Sequence, residues 1–164
     1  LGSLRCGVIA HRLFNIVEWV HFSQPENYVI NAHTHENIAL TVPPDEIESL
    51  LESPVHEVRV GAVSIMDWQA RSKKTSESRR KELYNLYIRR HDRINRWDLV
   101  DRSAPYVVGS YLSDKPRDIL DKLASSKDIW ERRTAIVSTY YLLGKAMLTT
   151  PLASLRFWLT TTRT

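Results

Sequence analysis

Trp97 and Asp101 stand four residues apart, so on a helix they share one face. The face of an exposed indole attracts a cation, by roughly 0.5–2 kcal/mol per contact. A carboxylate held near developing positive charge stabilises it most where water is largely excluded. Arg133 carries a planar fork of donors that suits phosphate oxygens. Each residue also has a plainer reading. Trp97 can be buried, Asp101 can simply pair with Arg102 or Arg133, and Arg133 can sit on a solvated face. Asp98 is a second nearby acid, but its place in a first helical turn reads as a helix-end charge. His33 and His35 form an H-x-H pair without a third ligand at suitable spacing, so no metal site is expected there.

The elements that must position these groups read as paired helices from Pro43 onward. Pro43-Pro44-Asp45 opens the first, and Ile47, Leu50 and Leu51 give it an apolar stripe. Ser53-Pro54 ends it and starts a second, with proline tolerated in the first turn. A third runs from about Glu77 to Arg90. Asn95 is the expected N-cap of a fourth, through Leu99, Val100, Ala104, Val107 and Val108, which Pro105 bends or divides. Lys115-Pro116 begins a fifth, and Ile129 to about Leu143 forms a sixth.

These make three helix pairs of roughly 35 to 40 residues. The second helices of pairs one and three resemble each other. Ser53-Pro-Val-His-Glu-Val-Arg59 aligns with Ser126-Lys-Asp-Ile-Trp-Glu-Arg-Arg133 if one inserted residue is allowed. Repeated helix hairpins of this length predict an all-α fold, an α-solenoid rather than a closed bundle.

Composition narrows the possibilities. The five glycines leave few turns that can demand positive φ, which disfavours a hairpin-rich β fold. Apolar runs are too short for a membrane span. Cys6 is the only cysteine, so no internal disulfide can form and a reducing compartment fits. The net charge of +4 is modest but uneven, with eleven Lys/Arg against five Asp/Glu between Arg71 and Arg102. A local excess of this kind suits a polyanion, although charge alone favours a solvated face.

Leu83 to Leu143 closely resembles the DNA alkylation repair (AlkD-like) family. The residues that carry the likeness are Tyr87-Ile-Arg-Arg-His-Asp-Arg-Ile-Asn-Arg-Trp-Asp-Leu-Val-Asp101, then Arg102-Ser-Ala-Pro-Tyr-Val-Val-Gly109, then Ile129-Trp-Glu-Arg-Arg-Thr-Ala-Ile136. Glu46 to Arg71 is similar to the preceding repeat, and the likeness covers about residues 43 to 147. The resemblance implies HEAT-like helix pairs and a basic concave groove that holds duplex DNA. It implies hydrolysis of the N-glycosidic bond of cationic N3- or N7-alkylated purines, without a base-holding pocket and without a metal or cofactor. It assigns Trp97, Asp101 and Arg133 to the active cleft. A cationic purine is already a good leaving group, so a single carboxylate can suffice where glycoside hydrolases use two. Arg89, Arg90, Arg93 and Arg96 are expected phosphate contacts, with Trp130, like Trp68, in the groove wall or core. The expected partner is double-stranded DNA with alkylated bases, met by a monomer in the cytoplasm.

The two ends depart from this pattern. Residues 1–42 lack the family's N-terminal helical pattern, and 148–164 carry β-branched and helix-breaking residues. Read from the third base of the Leu148 codon, the tail can instead encode an acidic amphipathic helix. A frameshift near residue 147 is therefore expected, leaving residues 43–147 as the repeat domain. On this reading the chain is an alkylpurine DNA glycosylase or an incomplete copy of one. The alternatives are a non-catalytic DNA-binding solenoid and a protein-interaction scaffold.

Overall fold

A computed structural model describes residues 39–149, with α1 at Pro44–Leu51, α2 at His56–Arg71 and α3 at Glu77–Arg89. After a 3₁₀ turn at His91–Arg93 come α4 (Trp97–Ala104), a π-helical turn (Pro105–Ser110) and a 3₁₀ turn (Tyr111–Asp114). Then follow α5 (Asp118–Ala124) and α6 (Ile129–Thr149). No strand occurs among the described residues. Cys6, His33 and His35 lie outside the described residues.

The helices pack as an α-solenoid. Within pairs, α1 lies on α2 and α5 on α6. Between pairs, α2 packs on α4 and α4 on α6, so the second helices form one continuous layer, while α1 meets α3 in the other. Ile47, Leu51, Ile65, Met66, Leu83, Leu86, Tyr87, Leu99, Val100 and Val108 fill the space between the layers. Because the core is shared between neighbouring pairs, a side chain on α4 has its position fixed by both α2 and α6.

Helix ends are closed largely by long side chains. Pro44 takes the first helical position of α1, where its missing N–H costs nothing. Ser76 caps α3 by accepting from the Arg79 N–H. The Arg80 guanidinium donates to the Ala70 and Ser72 carbonyls at the end of α2. Gln69, buried, donates to the Ala39 and Val42 carbonyls at 2.7 and 2.8 Å. Asp128 caps α6 by accepting from the Trp130 N–H at 2.7 Å.

Three local expectations are corrected. Pro54 lies outside α2, whose N-cap is Val55 and first residue His56. Arg96, not Asn95, is the N-cap of α4, and no side chain caps it. The Asn95 amide instead donates to the Asp92 carbonyl at 3.2 Å, bracing the preceding 3₁₀ turn. The repeat register also needs no inserted residue. Arg59 Nη1 donates to the carbonyls of Ser53 and Pro54, six and five residues earlier. Arg132 Nη1 does the same to Ser126 and Lys127. The Ser53 and Ser126 hydroxyls each accept from the N–H two residues on. Arg59 therefore corresponds to Arg132, and Arg133 falls where the first repeat has Val60.

Pro105 divides the fourth helix as expected. Its ring nitrogen cannot donate to the carbonyl four residues earlier, that of Asp101. The chain regroups into the π-helical turn. This turn lies against α6 so closely that a methyl group at Gly109 would clash with the Ser138 carbonyl.

Candidate functional site

The layer of second helices brings Trp97, Asp101 and Arg133 together. Trp97 begins α4 and is 60% exposed, an unusual condition for a residue that the core would readily accept. Asp101 lies one turn on and reaches across to α6. Arg133 Nε donates to Asp101 Oδ1 at 2.8 Å and Nη2 to Oδ2 at 2.6 Å, a bidentate pair. Both side chains stay partly exposed, 36% for Asp101 and 41% for Arg133. The bond to Asp101 raises the Arg133 pKa, so the guanidinium stays charged.

A buried polar knot lies beneath this pair. The Thr134 hydroxyl meets the Tyr87 hydroxyl at 3.2 Å and His91 Nε2 at 2.8 Å. It thereby ties α6 to α3 and to the 3₁₀ turn that follows it. Burial pushes the Tyr87 phenol up to about 12, partly opposed by bonds from Thr134 and Ser103. Burial also lowers the pKa of His91, against the pull of Glu131 and Asp128. Both groups are neutral near pH 7 and act as hydrogen-bonding spacers that set the rotation of α6, and with it the aim of Arg133.

Two cross-links between α2 and α4 escaped the sequence reading. His56 Nε2 lies 2.7 Å from Asp98 Oδ2, joining the start of α2 to the first turn of α4, directly beside Trp97. Asp98 thus has a partner across the layer as well as a place at a helix end. Further along, Asp67 is almost fully buried and pairs with Arg71 at 2.9 Å and Arg102 at 3.9 Å. Desolvation raises the Asp67 pKa against those two cations. The Arg71 guanidinium also lies 3.6 Å above the Tyr106 ring. Sequence spacing reveals the Asp67–Arg71 pair, but the His56–Asp98 and Asp67–Arg102 links exist only once α2 and α4 are docked.

The four arginines expected to meet phosphate divide. Arg89 and Arg90 hold Glu48, and the Arg89 bond leads in lowering its pKa. Arg90 also pairs with Glu52 and Asp92. Arg93 closes the end of α1, donating to the Leu51 and Glu52 carbonyls at 3.2 and 2.5 Å. These three are engaged between α1 and the end of α3. Arg96, beside Trp97, is exposed, and its guanidinium makes no hydrogen bond or ion pair among the described residues. Trp130 and Trp68 are half-buried against the core.

No three His, Cys, Asp or Glu side chains among the described residues converge as a metal site. No helix among them is long and apolar enough to cross a membrane. A family model described as DNA alkylation repair enzyme matches residues 27–161. No curated protein and no solved structure matches the chain.

Proposed function

The chain belongs to the DNA alkylation repair enzyme family, and from that premise we propose that it hydrolyses the N-glycosidic bond of cationic N3- or N7-alkylated purines in duplex DNA. The observation that carries this reading is the exposed indole of Trp97, one turn from Asp101, with Asp101 and Arg133 both still partly open to solvent.

The roles follow from charge. A DNA phosphate competes with Asp101 for the Arg133 fork, since both offer two oxygens at similar spacing. Arg133 shifting to phosphate frees a carboxylate facing the same nucleotide. Bond cleavage places positive charge on the deoxyribose, and the freed Asp101 stabilises that charge and orients the attacking water, whose proton passes to the carboxylate and on to solvent as the C–O bond forms. Trp97 offers its face to the cationic nucleoside. The departing alkylpurine needs no protonation, because breaking the bond neutralises it. Arg96 is the arginine best placed to add a phosphate contact. The repeats are of the HEAT-like kind, and the catalytic unit is a monomer in the cytoplasm, spanning residues 43–147.

Methylated duplex incubated with the protein should release free 7-methylguanine or 3-methyladenine. Asp101→Asn should lower that release by about 100-fold or more while duplex affinity holds or rises, because phosphate no longer competes with a carboxylate for the Arg133 fork. Unchanged release from the Asn variant would remove the carboxylate from the mechanism. A second reading is a DNA-binding scaffold without catalysis, favoured by the way Arg133 occupies both oxygens of Asp101. Salt-dependent duplex binding without base release would establish it.

A further inference from the structure

Neither α2 nor α4 starts with a side-chain cap: Val55 and Arg96, their N-caps, make no such bond. An uncapped first turn frays, since its leading N–H groups have no partner within the helix. Trp97 is the first residue of α4 and sits where fraying acts most. The core does not hold it either. Its indole is exposed and makes no hydrogen bond or ring contact among the described residues.

The two first turns are joined to each other instead. His56, the first residue of α2, places Nε2 2.7 Å from Oδ2 of Asp98, the second residue of α4. A carboxylate can only accept, so the imidazole donates. Asp98 Oδ1 and His56 Nδ1 are buried without a partner among the described residues, so this is the one side-chain bond that either makes there. His56 is itself backed by Arg59, whose guanidinium holds the Ser53 and Pro54 carbonyls in the turn that precedes α2. A pair that leaves two buried polar atoms unmet adds little net stability. What it supplies is a fixed distance between α2 and the residue that follows Trp97.

We infer that His56 is a positioning residue: through Asp98 it holds the first turn of α4 and so sets the direction in which the Trp97 indole projects. The inference rests on the function proposed above for Trp97 and adds to that site a residue of α2 that acts without touching the nucleotide. Without the bond the indole still reaches the cationic nucleoside, but it spends less time in the productive direction. The loss is therefore bounded by that of removing the indole.

The test follows the Trp97 indole N–H by proton–nitrogen NMR, its resonance assigned by its absence from Trp97→Ala. His56→Leu should lower the heteronuclear NOE of this indole, a sign of wider fast motion, and leave those of Trp68 and Trp130 in place. His56→Gln keeps a donor at similar reach and should restore the wild-type value. Asp98→Ser withdraws the acceptor from the other side and should reproduce His56→Leu. On methylated duplex, kcat/KM per folded molecule should fall by about 2- to 10-fold in His56→Leu, within the range of one cation–π contact. In a Trp97→Ala background the same substitution should cost nothing more, whereas a merely structural role would cost as much in both. An unchanged Trp97 NOE in His56→Leu and Asp98→Ser overturns the inference, as does a kcat/KM that stays at the wild-type value or falls equally in both backgrounds. A wild type that releases no base overturns the proposed function alone, and the NOE comparison still decides whether His56 holds the indole.

Discussion

Arg59 and Arg132 occupy the same station in their repeats, each reaching back to carbonyls six and five residues earlier in the turn that precedes its helix. The neighbour of Arg132 is thereby released from this duty. Arg133 projects from the next position and meets Asp101. Two adjacent arginines thus separate a repeat-maintaining role from a site role.

Replacing each in turn should separate those roles. Arg132→Met removes two charge-assisted bonds, partly screened by solvent, and should cost about 1–2 kcal/mol in urea denaturation. Base release per folded molecule should be unchanged. Arg133→Met should leave the folded protein near wild-type stability and reduce base release and duplex affinity. Equal losses of activity from both substitutions would contradict the division.

Trp97 is exposed, so its removal should be nearly silent in folding. Trp97→Ala should change stability by less than about 0.5 kcal/mol. On methylated duplex it should reduce kcat/KM by about 2- to 30-fold, the range of one lost cation–π contact. A large fall in thermal midpoint would show instead that the indole supports the core.

Thr134→Val keeps the shape of its buried site but withdraws a partner from both Tyr87 and His91. Two buried polar groups then lose a bond, at a cost of about 2–3 kcal/mol by chemical denaturation. The double variant Tyr87→Phe with Thr134→Val should recover part of that loss, because the hydroxyl that lost one of its two partners is removed with it.

His91 should make stability depend on pH. Burial favours its neutral form, so its folded pKa lies below the ordinary value of 6.5. The unfolded chain then takes up the proton more readily than the folded one. The contribution of His91 is complete above about pH 6.5 and declines as the pH falls from there towards the folded pKa. His91→Gln should flatten this part of the stability–pH curve, measured by urea denaturation between about pH 5 and 7.5.

Gly109→Ala tests the close approach between the π-helical turn and α6. Its added methyl meets the Ser138 carbonyl, which is backbone and cannot rotate aside. A destabilisation of about 3 kcal/mol is expected, at the upper end for overpacking. The displaced helix should also weaken the Asp101–Arg133 pair, so residual base release in the folded fraction should fall as well.

Much of this architecture was legible in the chain. Proline and serine positions marked the helix boundaries to within a few residues, and Ile47, Leu50 and Leu51 declared their buried face by spacing alone. Pro105 announced the break that the π-helical turn fulfils. What spacing could not reveal was competition for partners. Asn95 had two possible uses, and the one that braces the 3₁₀ turn prevailed. Arg89, Arg90 and Arg93 read as surplus charge because Glu48 and Glu52 lie some forty residues away in sequence and meet them only across the α1–α3 contact. The one-residue error in repeat register had a chemical cause, since Arg132 and Arg133 are alike as letters and only their hydrogen bonds tell them apart. Trp97 and Asp101 were legible as one face, and their junction with Arg133 was one of two open pairings for Asp101.

The wide turn at Pro105–Ser110 also sets a boundary on what α4 can offer. An uninterrupted helix would carry the line from Trp97 through Asp101 onward to Ala104 and Val108, but both of those are sealed beneath neighbouring helices. The outward strip on this helix therefore ends after two side chains. Any broadening of ligand range has to be drafted on the neighbouring α6, whose outward residues continue past Arg133 to Leu143.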